Sequence, residues 1–60
     1  MRMIPVEALG LALKKEIEAA QMYEEMAIRF PEIKDTLMFL KIEEEKHREL
    51  IEKKIVEFKK

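Results

Sequence analysis

Sixty residues carry twelve basic and thirteen acidic side chains, a single histidine and a formal net charge of −1. A chain this short buries only about 60% of the surface its unfolded form exposes, so it needs a staple, a metal or a partner chain. Cysteine and serine are absent and there is one glycine, Gly10. That excludes disulfides, thiolate metal sites, the commonest covalent nucleophiles and a glycine-rich phosphate loop.

With 42% charged and 48% hydrophobic residues, the chemistry falls to carboxylates, His47 and Tyr23. No basic stripe points to nucleic acid, and no apolar run is long enough to suggest a membrane span. The opening MRMIPVEALGLAL is interrupted by charge and by Pro5, unlike a signal peptide. A cytoplasmic location is the expectation.

In chain order, Pro5 suits a first helical turn, where its missing N–H costs nothing. From residue 6 to about 29 only Gly10 is a poor helix former, at about 1 kcal/mol relative to Ala. Phe30-Pro31 then interrupts. An internal proline costs roughly 3 kcal/mol and pushes the preceding residue out of helical geometry. From 32 to about 58 there is again neither Gly nor Pro, and the period-two alternation of strands is missing throughout. The sequence therefore predicts one all-α domain over residues 1–60. It is an antiparallel two-helix hairpin, with helices at about 6–29 and 32–58 and a turn at 30–31.

Heptad spacing defines a seam on each helix. Leu9, Leu13, Glu16, Ala20, Tyr23, Ala27 and Phe30 alternate at intervals of four and three. Ile33, Leu37, Leu40, Glu44, His47, Ile51, Lys54 and Phe58 do the same, out of phase with the first set across Pro31. Such seams pack against neighbouring helices. Val6, Ala12, Ile17, Ala19, Met26, Phe39, Leu50 and Ile55 widen the apolar stripes beyond what one partner helix covers. Each large apolar side chain left in water forfeits roughly 1.5–3 kcal/mol. Dimerisation into a four-helix bundle with two-fold symmetry resolves this, and higher homo-oligomers are compatible.

Glu16, Tyr23, Glu44 and His47 break the hydrophobic rule at mid-helix. Lys54 does so only near a helix end, where its long stem reaches water. Glu44 and His47, spaced three apart as Glu-x-x-His, project from one helix face. Glu16 and the Glu44–His47 pair lie equally far from the turn, about 22 Å at 1.5 Å per residue. A dyad at that level would gather four carboxylates and two imidazoles. Four ionised carboxylates in a dry core repel, and each costs several kcal/mol to desolvate. Two divalent cations cancel their charge, and neutral imidazoles add nitrogen donors without adding any. Carboxylate-plus-imidazole ligation suits iron, manganese, cobalt or zinc.

Glu16-x6-Tyr23, followed by Glu44-Glu45-Lys46-His47, resembles the ferritin-like di-iron superfamily over roughly residues 8–52. The likeness is greatest to one half of a rubrerythrin and to encapsulated ferritins. Members place a Glu from each of two helices and a Glu-x-x-His from each of the other two around the metals. The resemblance implies Glu16, Glu44 and His47 as metal ligands, with Glu44 bridging or chelating. It implies two iron ions per dimer, with manganese or zinc acceptable to the same donors, and Tyr23 in a redox or site-tuning role beside them. The implied activity is ferroxidase-type oxidation of Fe(II) by dioxygen or peroxide, in iron handling or oxidative protection. This chain holds one half-site, so the metal pair would form between protomers. It lacks the four-cysteine electron relay of rubrerythrins. It ends IVEFKK with no visible tail of the kind that addresses encapsulated ferritins to an encapsulin-type shell.

Two plainer readings stand beside this one. The chain is then a helical module stapled by metal without turnover, or a metal-free interaction module whose seam polar groups fix register. Glu18, Glu24 and Glu25 read as solvated or salt-bridged, and Glu43, Glu45 and Glu49 as a solvated face paired with Lys41, Lys46 and Lys53. Met22, Met26 and Met38 read as packing residues.

Overall fold

The computed structural model describes residues 3–59. Its first helix, α1, spans Pro5–Arg29. A single 3-10 turn over Pro31–Ile33 leads into the second, α2, at Lys34–Lys59. The two helices pack along one another as a hairpin, and no strand occurs among the described residues.

Local chemistry explains the limits of each element. Ile4 is extended, with φ −81° and ψ 156°, and Pro5 takes the first helical position. The Glu7 carboxylate reaches back to accept the Ile4 N–H at 3.1 Å, which supplies half of a capping box. At the other end Phe30, ahead of Pro31, sits at φ −128° and ψ 70°, outside the helical region that the proline's ring disfavours for its predecessor. The Phe30 N–H still donates to the Met26 carbonyl at 2.8 Å, and the Ile33 N–H donates to the Phe30 carbonyl at 3.1 Å. The Arg29 guanidinium lies over the Phe30 ring at 5.7 Å. Among the described residues none has positive φ, so the chain reverses without glycine. The two residues after Pro31 complete the 3-10 turn, and regular α-helix resumes at Lys34 rather than at 32.

The hairpin measures 44 × 23 × 11 Å, a single layer of helices. Only Ala27 (5% exposed) and Leu37 (4%) are buried among the described residues, and both lie at the turn end. The α1 seam from Leu9 to Ala27 faces inward as its spacing predicts. On α2 the inward strip runs through Leu37, Lys41, Glu44, Arg48, Ile51 and Ile55, and His47, Lys54 and Phe58 are exposed. The predicted α2 seam is thus rotated toward one broad face. A contact between just two helices asks each for only one strip. The long apolar stems of Lys41 and Arg48 fill theirs, with part of each side chain still reaching water although Arg48 Nε is sealed from it.

The two broad faces differ. Helical phase at 100° per residue puts His47 on one face with half-buried Leu40 and Met26 and exposed Met22 and Leu50. Leu50 is 66% exposed there. The other face presents Ile17, Gln21 and Glu24 of α1 opposite Lys41, Glu45 and Arg48 of α2. No helix among the described residues is long and apolar enough to cross a membrane.

Candidate metal centre

Glu16 comes from the middle of α1, and Glu44 and His47 come from one turn of α2. Each offers one donor atom, and these three atoms all lie within 4.8 Å of one another. The His47 Nδ1 stands 3.6 Å from Glu16 Oε2 and 3.8 Å from Glu44 Oε1. The equal heights expected from the turn are therefore realised within one hairpin. The pair Lys41 Nζ–Glu24 Oε2, at 3.4 Å, ties the helices on the other face.

Burial is graded across the group. The Glu16 and Glu44 side chains are mostly covered, whereas the His47 side chain is 51% exposed and opens onto the apolar face. Glu16 Oε2 is sealed from solvent and, with both carboxyls ionised, has no hydrogen-bond donor. A buried acceptor without a donor is costly, so this oxygen is poised for a cation or a proton. The Glu44 carboxyl is held above its ordinary value of 4.5. The main cause is a hydrogen bond to the Glu16 carboxyl. Partial burial and the Glu16 charge add to it, His47 opposes it and Glu43 contributes a little.

The three donors could hold a divalent ion. Metal–ligand bonds of about 2.0–2.2 Å to nitrogen and oxygen place neighbouring donors roughly 3–3.5 Å apart. The two distances from His47 Nδ1, 3.6 and 3.8 Å, exceed that by a few tenths of an ångström, and the three donor atoms as a set lie within 4.8 Å. Two carboxylates and one imidazole would supply three donors to such an ion.

Tyr23 is half-buried on α1. It lies about 10.5 Å along the helix from Glu16, toward the turn. Helical side chains lean toward the N-terminus, which from Tyr23 is the direction of Glu16.

Sequence reasoning missed the other residues around the carboxylates. Glu16 and Glu44 also floor a cavity of about 180 Å³ on the face away from His47, lined among others by Ala20, Gln21, Glu24, Lys41 and Arg48. Lys46 does pair with Glu43, at 3.4 Å, as expected of a solvated face. Lys41 instead crosses to Glu24. Its i, i+4 step from Leu37 was the available signal, obscured because a lysine does not register in a hydrophobic pattern.

Comparison with protein-family models, curated proteins and solved structures finds no match to this chain. The ferritin-like resemblance therefore rests on Glu16, Tyr23, Glu44 and His47 themselves.

Proposed function

We propose that two copies of this hairpin pair into a ferritin-like four-helix bundle and pool Glu16, Glu44 and His47 into a dinuclear metal centre. In this reading the centre oxidises Fe(II) with dioxygen or peroxide, in iron handling or oxidative protection. The supporting observation is the convergence of three donor atoms around a sealed, unpartnered Glu16 oxygen, beside an uncovered apolar face. The second copy is assigned to the His47 face. That face combines Met22, Leu50, Met26 and Leu40, and its covering would enclose the open side of the group.

The residues' parts follow from their chemistry. Four carboxylates from two protomers balance two divalent ions. Glu44, whose carboxyl is held above its ordinary value, would give up any proton it holds where a cation binds. His47 contributes the Nδ1 lone pair, which requires the neutral tautomer with hydrogen on Nε2. The apolar cover excludes water and strengthens each of these interactions. Iron, when bound, supplies the electrons that reduce the oxidant. Zinc and copper exceed iron in raw affinity, so iron is assigned from the resemblance and from cellular supply.

Anaerobic Fe(II) titration with sedimentation, followed by admission of air, tests the proposal. The expected result is saturation near one iron per chain on a dimer or a larger even assembly, and oxidation faster than in buffer. Absence of saturable binding, or a monomer at saturation, refutes it.

A second reading draws on the small core, in which only Ala27 and Leu37 are buried among the described residues. The metal then staples the dimer without turnover. A dimer that a chelator dissolves, with no oxidation above buffer, selects that reading. A Glu44→Ala variant that stays dimeric and loses only oxidation selects the first.

A further inference from the structure

The candidate metal group has two approaches. One is the His47 face, which the proposed second copy covers. The other is the cavity on the opposite face, whose floor is formed by Glu16 and Glu44 and whose lining excludes His47. We infer that this cavity is the route by which a hydrated divalent cation reaches Glu16 and Glu44 once the hairpins have paired. The inference rests on the dimer reading above and adds to it a path and its selectivity.

Three observations carry it. The first is size. At about 30 Å³ per water, a space of about 180 Å³ holds several waters, enough for an ion that has kept part of its shell. The second is sign. The lining holds the carboxylates of Glu16, Glu24, Glu44 and Glu45 against the cations of Lys41 and Arg48, a formal excess of two negative charges. A cleft of one net sign, walled by low-dielectric protein, concentrates counter-ions. The third is the nature of the rim. Lys41 and Glu24 meet at 3.4 Å with the Glu24 side chain well exposed. A pair with one member in solvent is weak and opens cheaply. The same charges make this face expensive to desolvate, which keeps it free when the apolar face is covered.

Glu24 and Glu45 therefore act before binding, by drawing the cation in, and not as ligands. Lys41 acts against them, as a positive charge the ion must pass. Ala20, half-buried in the lining, sets the width.

Co(II) is the probe. Its visible absorption on binding is followed by stopped flow, and its release is followed on mixing with excess chelator. The protein is the full chain, with its dimer mass checked for every variant. The double variant Glu24→Gln/Glu45→Gln is expected to load about three- to tenfold more slowly, and Lys41→Gln to load faster. Added salt should shrink both differences, since the path is electrostatic. Ala20→Leu is expected to slow loading and release alike and to leave Kd within about twofold, as a narrowed passage must.

Loading rates within twofold of wild type in all three variants, with the wild type binding Co(II) as a dimer, overturn the route and leave the metal centre standing. Changes of equal sign in the Glu and Lys variants overturn it too. If Ala20→Leu disturbs the dimer, the opposite signs of the surface variants decide. A wild type that binds no Co(II) overturns the metal centre and the route with it.

Discussion

Replacing Glu16 with glutamine separates what the site costs the fold from what it gives to binding. Glu16 Oε2 is sealed from solvent without a donor, 3.6 Å from His47 Nδ1 and beside the Glu44 carboxyl. Leaving a buried acceptor unpaired costs about 1–3 kcal/mol. Glutamine has nearly the same shape, removes a like charge from beside Glu44, and can turn its amide toward that carboxylate as a donor. The Glu16 side chain is still 22% exposed, so the low end of the range applies. We expect metal-free Glu16→Gln to be more stable than wild type by about 1 kcal/mol. In a chain of this size that is a rise in Tm of roughly 4–8 °C. With Co(II) or Zn(II) present the order reverses, because one of three donors is gone. The loss of affinity should exceed the roughly 10–100-fold that follows removal of a mere supporting hydrogen bond. Thermal melts at one fixed protein concentration, with chelator and then with metal, read both effects. A metal-free variant that melts below wild type, or one that keeps its metal affinity, refutes the reasoning.

Further outcomes follow from the same geometry. The raised Glu44 value means that, above the unfolded value of 4.5, the unfolded chain sheds a proton that the folded one retains. Between the unfolded and folded values, metal-free stability therefore falls as pH rises, and in Glu44→Gln this part of the pH dependence of the melt should vanish. Metal affinity over the same window should rise with pH, since the proton must leave first. Leu50→Glu, on the His47 face, should weaken the dimer by about 10²–10⁴-fold, from roughly 1.5–3 kcal/mol lost in each protomer. Ile28→Glu, 78% exposed on the other face near the turn, should leave the sedimented mass unchanged. Gly10 lies inside α1, where an added Cβ meets nothing within 4 Å. Gly10→Ala should therefore raise stability by about 0.8–1 kcal/mol, read as a higher melting temperature with unchanged metal binding.

The sequence was informative where a single physical effect decides. Pro5 and Phe30-Pro31 mark the limits of α1, because a proline lacks an N–H and crowds the residue before it. The convergence of Glu16, Glu44 and His47 follows from equal distances to the turn and a fixed rise per residue. The rotation of α2 was not legible, because two strips compete for the inward position. One holds Leu40 and His47, the other Lys41 and Arg48. Hydrophobic pattern favours the first. In a single layer the second wins through aliphatic stems that carry charged ends, and this leaves the first strip facing outward. The cavity over Glu16 and Glu44 follows from that rotation, so it was not legible either. The 3-10 turn after Pro31 is a matter of one or two residues, below what propensity resolves.

Between Pro5 and Lys59 only Phe30 stands outside a helical turn. One backbone unit, constrained by the ring that follows it, is all that keeps the chain from continuing as an uninterrupted rod of about 80 Å. A rod would carry the same three donors, but Glu16 would sit far from Glu44 and His47, and each arm would have to borrow its complement from another molecule, the exchange known as domain swapping. Pro31 thus decides whether the triad is intramolecular or shared, although it touches no donor itself.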